Sequence, residues 1–194
     1  MPSHAPLADL LASLAATLDA IGVRWYVFGA QAVLHWGRPR FTEDVDVTVL
    51  LGRVEAAQLV EGLQRAGFAL RPEGTPAFVA RTRVLPMSFG EDGWAVDIVL
   101  GGPGLEEAFQ QRAVPVEVAP GVSIPVISAE DLVATKVLAG RAKDLDDVRS
   151  VIVAQADRLD RDAVRRLLTD LEHALGVSDL LPVFERLLGS DDAG

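Results

Sequence analysis

Two carboxylates stand on one face of a run that otherwise reads as a buried strand. In Asp44-Val45-Asp46-Val47-Thr48-Val49-Leu50-Leu51, side chains alternate, so Val45, Val47 and Val49 face one way and Asp44, Asp46 and Thr48 the other. The two acids then emerge roughly 7 Å apart along the backbone. Neighbouring anions repel, so a sheet that keeps them needs positive charge close by or an end open to water. Arg38 and Arg40 come just before them.

Hard oxygen ligands of this kind suit Mg²⁺ or Mn²⁺, and Mg²⁺ typically takes one or two carboxylates together with substrate phosphates. Two such ions can clamp the attacking and leaving oxygens of a phosphoryl transfer. A third acid is available, because Asp97 is a lone carboxylate within the apolar run Trp94–Leu100. Beside the first strand, Asp97 would face the pair and could take a proton from an attacking hydroxyl. Each feature also has a plainer reading. An Asp-x-Asp at a strand edge serves as a solvated face or a turn, and Asp97 fits an ion pair with Arg81 or Arg83.

Bulk properties narrow the function classes. The 194 residues suffice for one large domain or two small ones, and 49 % hydrophobic content argues against disorder. The net charge of −10 argues against a broad nucleic-acid-binding face, while leaving room for a small basic groove. With no cysteine, disulfides and thiolate metal sites are impossible, which fits a cytoplasmic setting. The opening stretch Ala8–Gly22 carries Asp9 and Asp19 and has no basic leader, so no signal peptide is expected. No run reaches the roughly 18 apolar residues of a membrane helix.

Periodicity and caps predict helices over Leu7–Ile21, Ala30–Trp36, Val54–Ala66, Ala129–Ala139, Lys143–Ala156, Asp160–Leu175 and Ser178–Leu188. Strands are expected at Trp25–Phe28, Asp44–Leu51, Phe78–Val84, Pro86–Phe89, Trp94–Leu100, Val114–Val118 and Val122–Val126, with a hairpin turn at residues 90–93. The fold class is α/β (α+β): a mixed sheet of about five strands with flanking helices, then a helical C-terminal part. Residues 1–127 are expected to form the first domain and 128–194 a helical subdomain packed on it.

Phe28-Gly29-Ala30-Gln31 reads as a strand, a glycine and a helix start, a place where backbone N–H groups can meet a phosphate. Taken in order, Gly29-Ala30-Gln31-Ala32 and Gly37-Arg38-Pro39-Arg40-Phe41-Thr42-Glu43-Asp44-Val45-Asp46 resemble the signature of the DNA polymerase β-like nucleotidyltransferase superfamily. Within it the chain is most similar to the bacterial group of AbiEii-type toxins and their relatives. Asp97, Lys136 and the run Arg141-Ala142-Lys143-Asp144-Leu145-Asp146-Asp147 extend the likeness over residues 26–147.

The resemblance implies a metal-dependent transfer of a nucleoside monophosphate from a nucleoside triphosphate to a hydroxyl, releasing pyrophosphate. Asp44, Asp46 and Asp97 would hold Mg²⁺ or Mn²⁺ and carry the reaction. Gly29, Ala30, Arg38, Arg40, Thr42, Lys136 and Lys143 would contact the nucleotide or its phosphates, and Asp144 and Asp147 would shape the cleft. The superfamily usually has Gly-Ser or Gly-Gly where this chain has Gly29-Ala30, so weaker nucleotide binding is expected. For Arg38 and Arg40, surface ion pairs are the plainer alternative. For the Lys143–Asp147 run it is a solvated helix start. Lys136, Lys143 and Asp147 share a helical face only if the helix continues through Gly140.

The implied acceptor is RNA such as tRNA, or protein, with an antitoxin protein as a possible partner. A small cationic antibiotic of the aminoglycoside or lincosamide kind is the alternative acceptor, and a silent nucleotide-binding module is the alternative to an enzyme. Asp44-Val45-Asp46-Val47-Thr48 also fits a haloacid-dehalogenase-type phosphatase signature. There the hydrophobic strand precedes the nucleophilic Asp, whereas here it follows.

Overall fold

Alternation in β2 (Asp44–Leu50) sets up the sheet: Val45, Val47 and Val49 are fully buried, while the other face runs from exposed Asp44 through half-buried Asp46 to buried Thr48. One end of this central strand is therefore open to solvent and the other is closed. The computed structural model describes residues 7–39, 42, 44–90 and 93–191. The chain folds into two compact units, Met1–Gln31 with Thr42–Ile127, and Ala32–Phe41 with Ser128–Gly194.

In the first unit, β2 pairs antiparallel with β1 (Arg24–Phe28) and parallel with β5 (Trp94–Leu100). β4 (Val84–Phe89) and β5 form a hairpin closed between Phe89 and Trp94, and β3 (Phe68–Leu70) lies antiparallel outside β4. On the other side β1 runs parallel to β7 (Val122–Val126), which pairs antiparallel with β6 (Val114–Ala119). Among the described residues this makes one seven-stranded mixed sheet, ordered β3-β4-β5-β2-β1-β7-β6.

Helix α1 (Leu7–Ile21) buries Leu10, Leu11, Leu14 and Leu18, and lies against β1, β6, β7 and α3 (Ala56–Arg65). Gly62 of α3 makes room for α1, because an added Cβ would come within 2.6 Å of Ile21 Cδ1. Helix α5 (Leu105–Arg112) lies against β1 and β2, with Phe109 edge-on to Tyr26. Short α2 (Gly29–Trp36) begins in the first unit and continues into the second.

The sheet differs from the expected one in three places. Phe78–Val84 was expected as a strand on its alternation, but Pro76–Thr82 is helix α4. Local start signals outweigh alternation in so short a segment: Thr75 Oγ1 accepts from Phe78 N, and Pro76 occupies the first turn. Left-handed Arg83 then ends the helix and β4 begins at Val84. β3 and α5 were not among the expected elements, and the sheet has seven strands among the described residues where about five were expected.

The second unit is built on α6 (Ala129–Ala139), which touches α7 (Ala142–Gln155), α8 (Arg161–Leu175) and α9 (Leu180–Asp191). Leu132, Val133, Val137, Val148, Val151, Leu168 and Phe184 form its core. Ser128 caps α6 by accepting from Asp131 N at 3.1 Å, and Asp160 caps α8 by accepting from Ala163 N at 2.9 Å. Gly140 adopts a left-handed conformation (φ 66°) and accordingly ends α6. α6 and α7 are therefore separate helices.

Candidate active site

The register of the central strands brings the predicted acids together. Asp46 is abreast of Asp97 on parallel β5, and Asp44 is abreast of Ala95. Adjacent strands are about 4.8 Å apart, and side chains at matched positions share a face. Asp44, Asp46 and Asp97 thus stand on one side of the sheet, toward the end where β2 opens to solvent.

On its other edge β2 meets β1, with Phe28 opposite Asp46. The next residue, Gly29, turns the chain from β1 into α2 with φ 64°. An added Cβ there would sit 1.9 Å from Asp46 Oδ2. Only glycine satisfies both the left-handed backbone and this contact, so the Gly29-Ala30 turn lies directly against the Asp46 carboxylate. Nearly buried Gln31 donates to the Asp44 carbonyl oxygen at 3.3 Å. Thr42 Oγ1 donates to Asp44 Oδ1 at 2.5 Å, which orients that carboxylate.

The cation beside Asp97 is Arg71, and neither Arg81 nor Arg83 takes that place. Arg71 Nη2 pairs with Asp97 Oδ1, and Arg71 Nε lies 3.2 Å from Glu73 Oε1. Arg83 turns instead to the Leu100 carbonyl. Arg71 follows β3 directly, and its N–H continues the β3–β4 ladder to the Pro86 carbonyl at 3.0 Å. A reading without β3 could not place Arg71 beside β5. Among the described residues, no group of three or more His, Asp or Glu side chains is drawn together as a ready-made metal cage. The donors are nevertheless all hard carboxylate oxygens on one face, the set a Mg²⁺ or Mn²⁺ ion with a polyphosphate prefers.

The remaining predicted residues fall in the second unit. Lys136 Nζ donates to Asp144 Oδ1 and Asp147 Oδ2, each at 2.8 Å, and all three side chains are at least nine-tenths buried. Arg141 adds a bond from Nε to Asp144 Oδ2 at 2.5 Å. Burial alone would raise the Asp144 carboxyl, but hydrogen bonds from Arg141 and Lys136 outweigh it and hold the group below its ordinary value. The Lys136 ammonium is thus enclosed by two carboxylates and joins α6 to α7. Lys143 is exposed on α7 outside this cluster. Arg38 is exposed, with its N–H 3.3 Å from Ser150 Oγ. The expectation for Arg40 lies outside the described residues.

Residues 14–182 match the family model "Nucleotidyl transferase AbiEii toxin, Type IV TA system". The chain belongs to this AbiEii family. Solved structures agree in fold. The structure of ANT(2")-Ia in complex with adenylyl-2"-tobramycin aligns with TM-score 0.59 and 16 % identity, over 87 % of this chain and 98 % of that one. An antigenic nucleotidyltransferase-like protein from Paracoccidioides brasiliensis aligns with TM-score 0.56 and 16 % identity, over 92 % of each chain. No curated protein matches the sequence.

As a member of the AbiEii family, the chain is a nucleotidyltransferase. The turn from β1 into α2 has a glycine at position 29 and no side-chain hydroxyl at Ala30. The close approach of Gly29 to Asp46 makes the glycine necessary on steric grounds alone, whereas position 30 only has to start a helix.

Proposed function

We propose that the chain transfers a nucleoside monophosphate from a nucleoside triphosphate to a hydroxyl of an RNA or protein acceptor, with Asp44, Asp46 and Asp97 at the reacting centre. The observation that carries this reading is the register of β2 on β5, which sets Asp46 abreast of Asp97 on the face shared with Asp44. These carboxylates would hold Mg²⁺ or Mn²⁺. When bound, the ion supplies charge neutralisation and polarisation of the phosphoryl oxygens.

The chain's own groups divide the remaining work. Backbone N–H groups at Gly29 and Ala30, at the start of α2, bind phosphate oxygens. Thr42 and Gln31 fix Asp44, one through its carboxylate and the other through its carbonyl. Arg71 holds one oxygen of Asp97, so the second is oriented to take the proton of the acceptor hydroxyl. The acceptor oxygen bonds to the α-phosphorus, the bond from that phosphorus to the bridging oxygen breaks, and pyrophosphate leaves. Lys136, Asp144 and Asp147 act at one remove, by fixing α6 to α7.

Family membership favours a polymer acceptor, an antitoxin protein as partner and the cytoplasm as setting. A small cationic acceptor is the second reading, favoured by the net charge of −10. The deciding assay mixes the protein and Mg²⁺ with each α-phosphate-labelled nucleoside triphosphate and, separately, cell RNA, a protein extract or a panel of aminoglycosides and lincosamides. Label on RNA or protein that disappears with Asp46→Asn is the expected result. Label on the antibiotics would move the acceptor to the second reading, and label that persists with Asp46→Asn would overturn the site.

A further inference from the structure

The first unit contains a cleft of about 350 Å³ whose lining includes Arg24, Leu50, Leu51, Arg83, Pro103 and Glu107. It lies at the opposite end of the central strands from the carboxylates. Asp46 and Leu50 are four residues apart on β2, as are Asp97 on β5 and Gly101 just past its end, which separates the two places by roughly 13 Å.

Arg83 is the unusual residue in this cleft. Its backbone is left-handed (φ 58°), a conformation that favours glycine and strains a side chain of this size. Its guanidinium is aimed by a neutral group, with Nε and Nη2 donating to the Leu100 carbonyl at 2.8 and 2.6 Å. Among the described residues no carboxylate pairs with it. Arg83 is thus oriented while its charge stays uncompensated, the state in which a guanidinium is prepared to receive an oxyanion.

The floor is kept open by glycine. A Cβ at Gly101 would come within 2.8 Å of Leu50 Cδ2 and Thr48 Cγ2, and Arg83 Nη2 stands 3.8 Å from where a Gly102 Cβ would be. Leu50, Leu51 and Pro103 give an apolar wall. Opposite, Arg24 Nη2 meets Glu107 Oε1 at 2.5 Å, a half-exposed pair that can exchange its carboxylate for a ligand. Two cations against one anion make the cleft locally positive in a chain of net charge −10.

We propose that this cleft is a second binding site, for a small molecule bearing a phosphate or carboxylate on an apolar body. The oxyanion docks on Arg83 and draws Arg24 away from Glu107, and the apolar body rests on Leu50, Leu51 and Pro103. The site uses none of the carboxylates of β2 and β5, so it stands or falls independently of the transfer mechanism.

The test titrates the full chain, without added metal, with phenyl phosphate and with benzoate, reading heat of mixing and backbone amide shifts. Saturable binding is expected, with shifts at Gly101 and Gly102 and none at Asp44, Asp46 or Asp97. The stronger probe identifies which oxyanion the site prefers. Arg83→Gln weakens binding about tenfold or more, and Glu107→Gln tightens it by freeing Arg24. Arg83→Gln also removes the bonds to Leu100, so Arg24→Gln, at an exposed pair, serves as the second variant and weakens binding several-fold. The proposal is overturned if neither probe saturates at millimolar concentration, if binding survives both arginine variants, or if the shifts fall at the carboxylates instead.

Discussion

Asp46 with Asp97 in the first unit, abreast on neighbouring strands, and Asp144 with Asp147 in the second, three residues apart on α7, are both acid pairs, and they are satisfied in opposite ways. Lys136 bridges the second pair from within the core, and Arg141 closes it from outside. The first pair stands toward the solvent end of β2, pressed by the Gly29 turn and with Arg71 on one oxygen of Asp97. A buried acid left without a cation is costly, so the closed cluster holds helices together and leaves little capacity for a ligand. In the proposed mechanism the open one, toward the solvent end of β2, is where an incoming cation and its phosphates would bind.

This contrast is broken most severely by Asp46→Asn, which is expected to reduce transfer by about 10²–10⁴-fold in a label-transfer assay with almost no change in urea midpoint. Removing the bridge of the closed cluster does the reverse. Lys136→Met removes the cation that the two buried carboxylates share, leaving Arg141 on Asp144, and is expected to cost about 3–5 kcal/mol by urea unfolding. Gly29→Ala touches both properties. It strains a left-handed position and pushes Asp46 aside, so stability falls by about 1–3 kcal/mol and transfer is lost with it.

The pH response sharpens the comparison further. The Asp144 carboxyl is held below its ordinary value, so it contributes stability at pH above the unfolded value, and that stability is lost as pH falls through the lowered folded value. Wild-type urea midpoints are expected to drop steeply on the acid side of the ordinary carboxylate range, and Asp144→Asn to flatten that drop while lowering stability near neutrality. The smallest effect belongs to Arg71→Gln. The pair it breaks is partly solvated, so stability changes by under about 1 kcal/mol while the maximal transfer rate falls as Asp97 loses its orientation.

What the sequence made legible was local and periodic. Leu7–Ile21 and Ala129–Ala139 follow from apolar spacing ended by Gly22 and Gly140, and the acid-bearing strand follows from its alternation. The acids themselves were legible as well, because carboxylates in apolar strands stand out. What failed was short or non-local. The seven residues of α4 carry too few turns for periodicity to outweigh an alternating pattern, and the three of β3 are recognised only by their pairing with β4. Arg71 was missed with β3, since nothing local ties it to Asp97. The enclosure of Lys136 by Asp144 and Asp147 was not legible, because it depends on the break at Gly140 and the packing of α7 on α6.

The most direct test of the open cluster replaces Asp44, Asp46 and Asp97 together by Asn and measures label transfer and urea unfolding on the same preparation. Transfer abolished, with stability unchanged or raised by the relief of like-charge repulsion, is the result this account predicts. Transfer that continues at the wild-type rate in a folded triple variant would contradict it and place the reacting centre elsewhere.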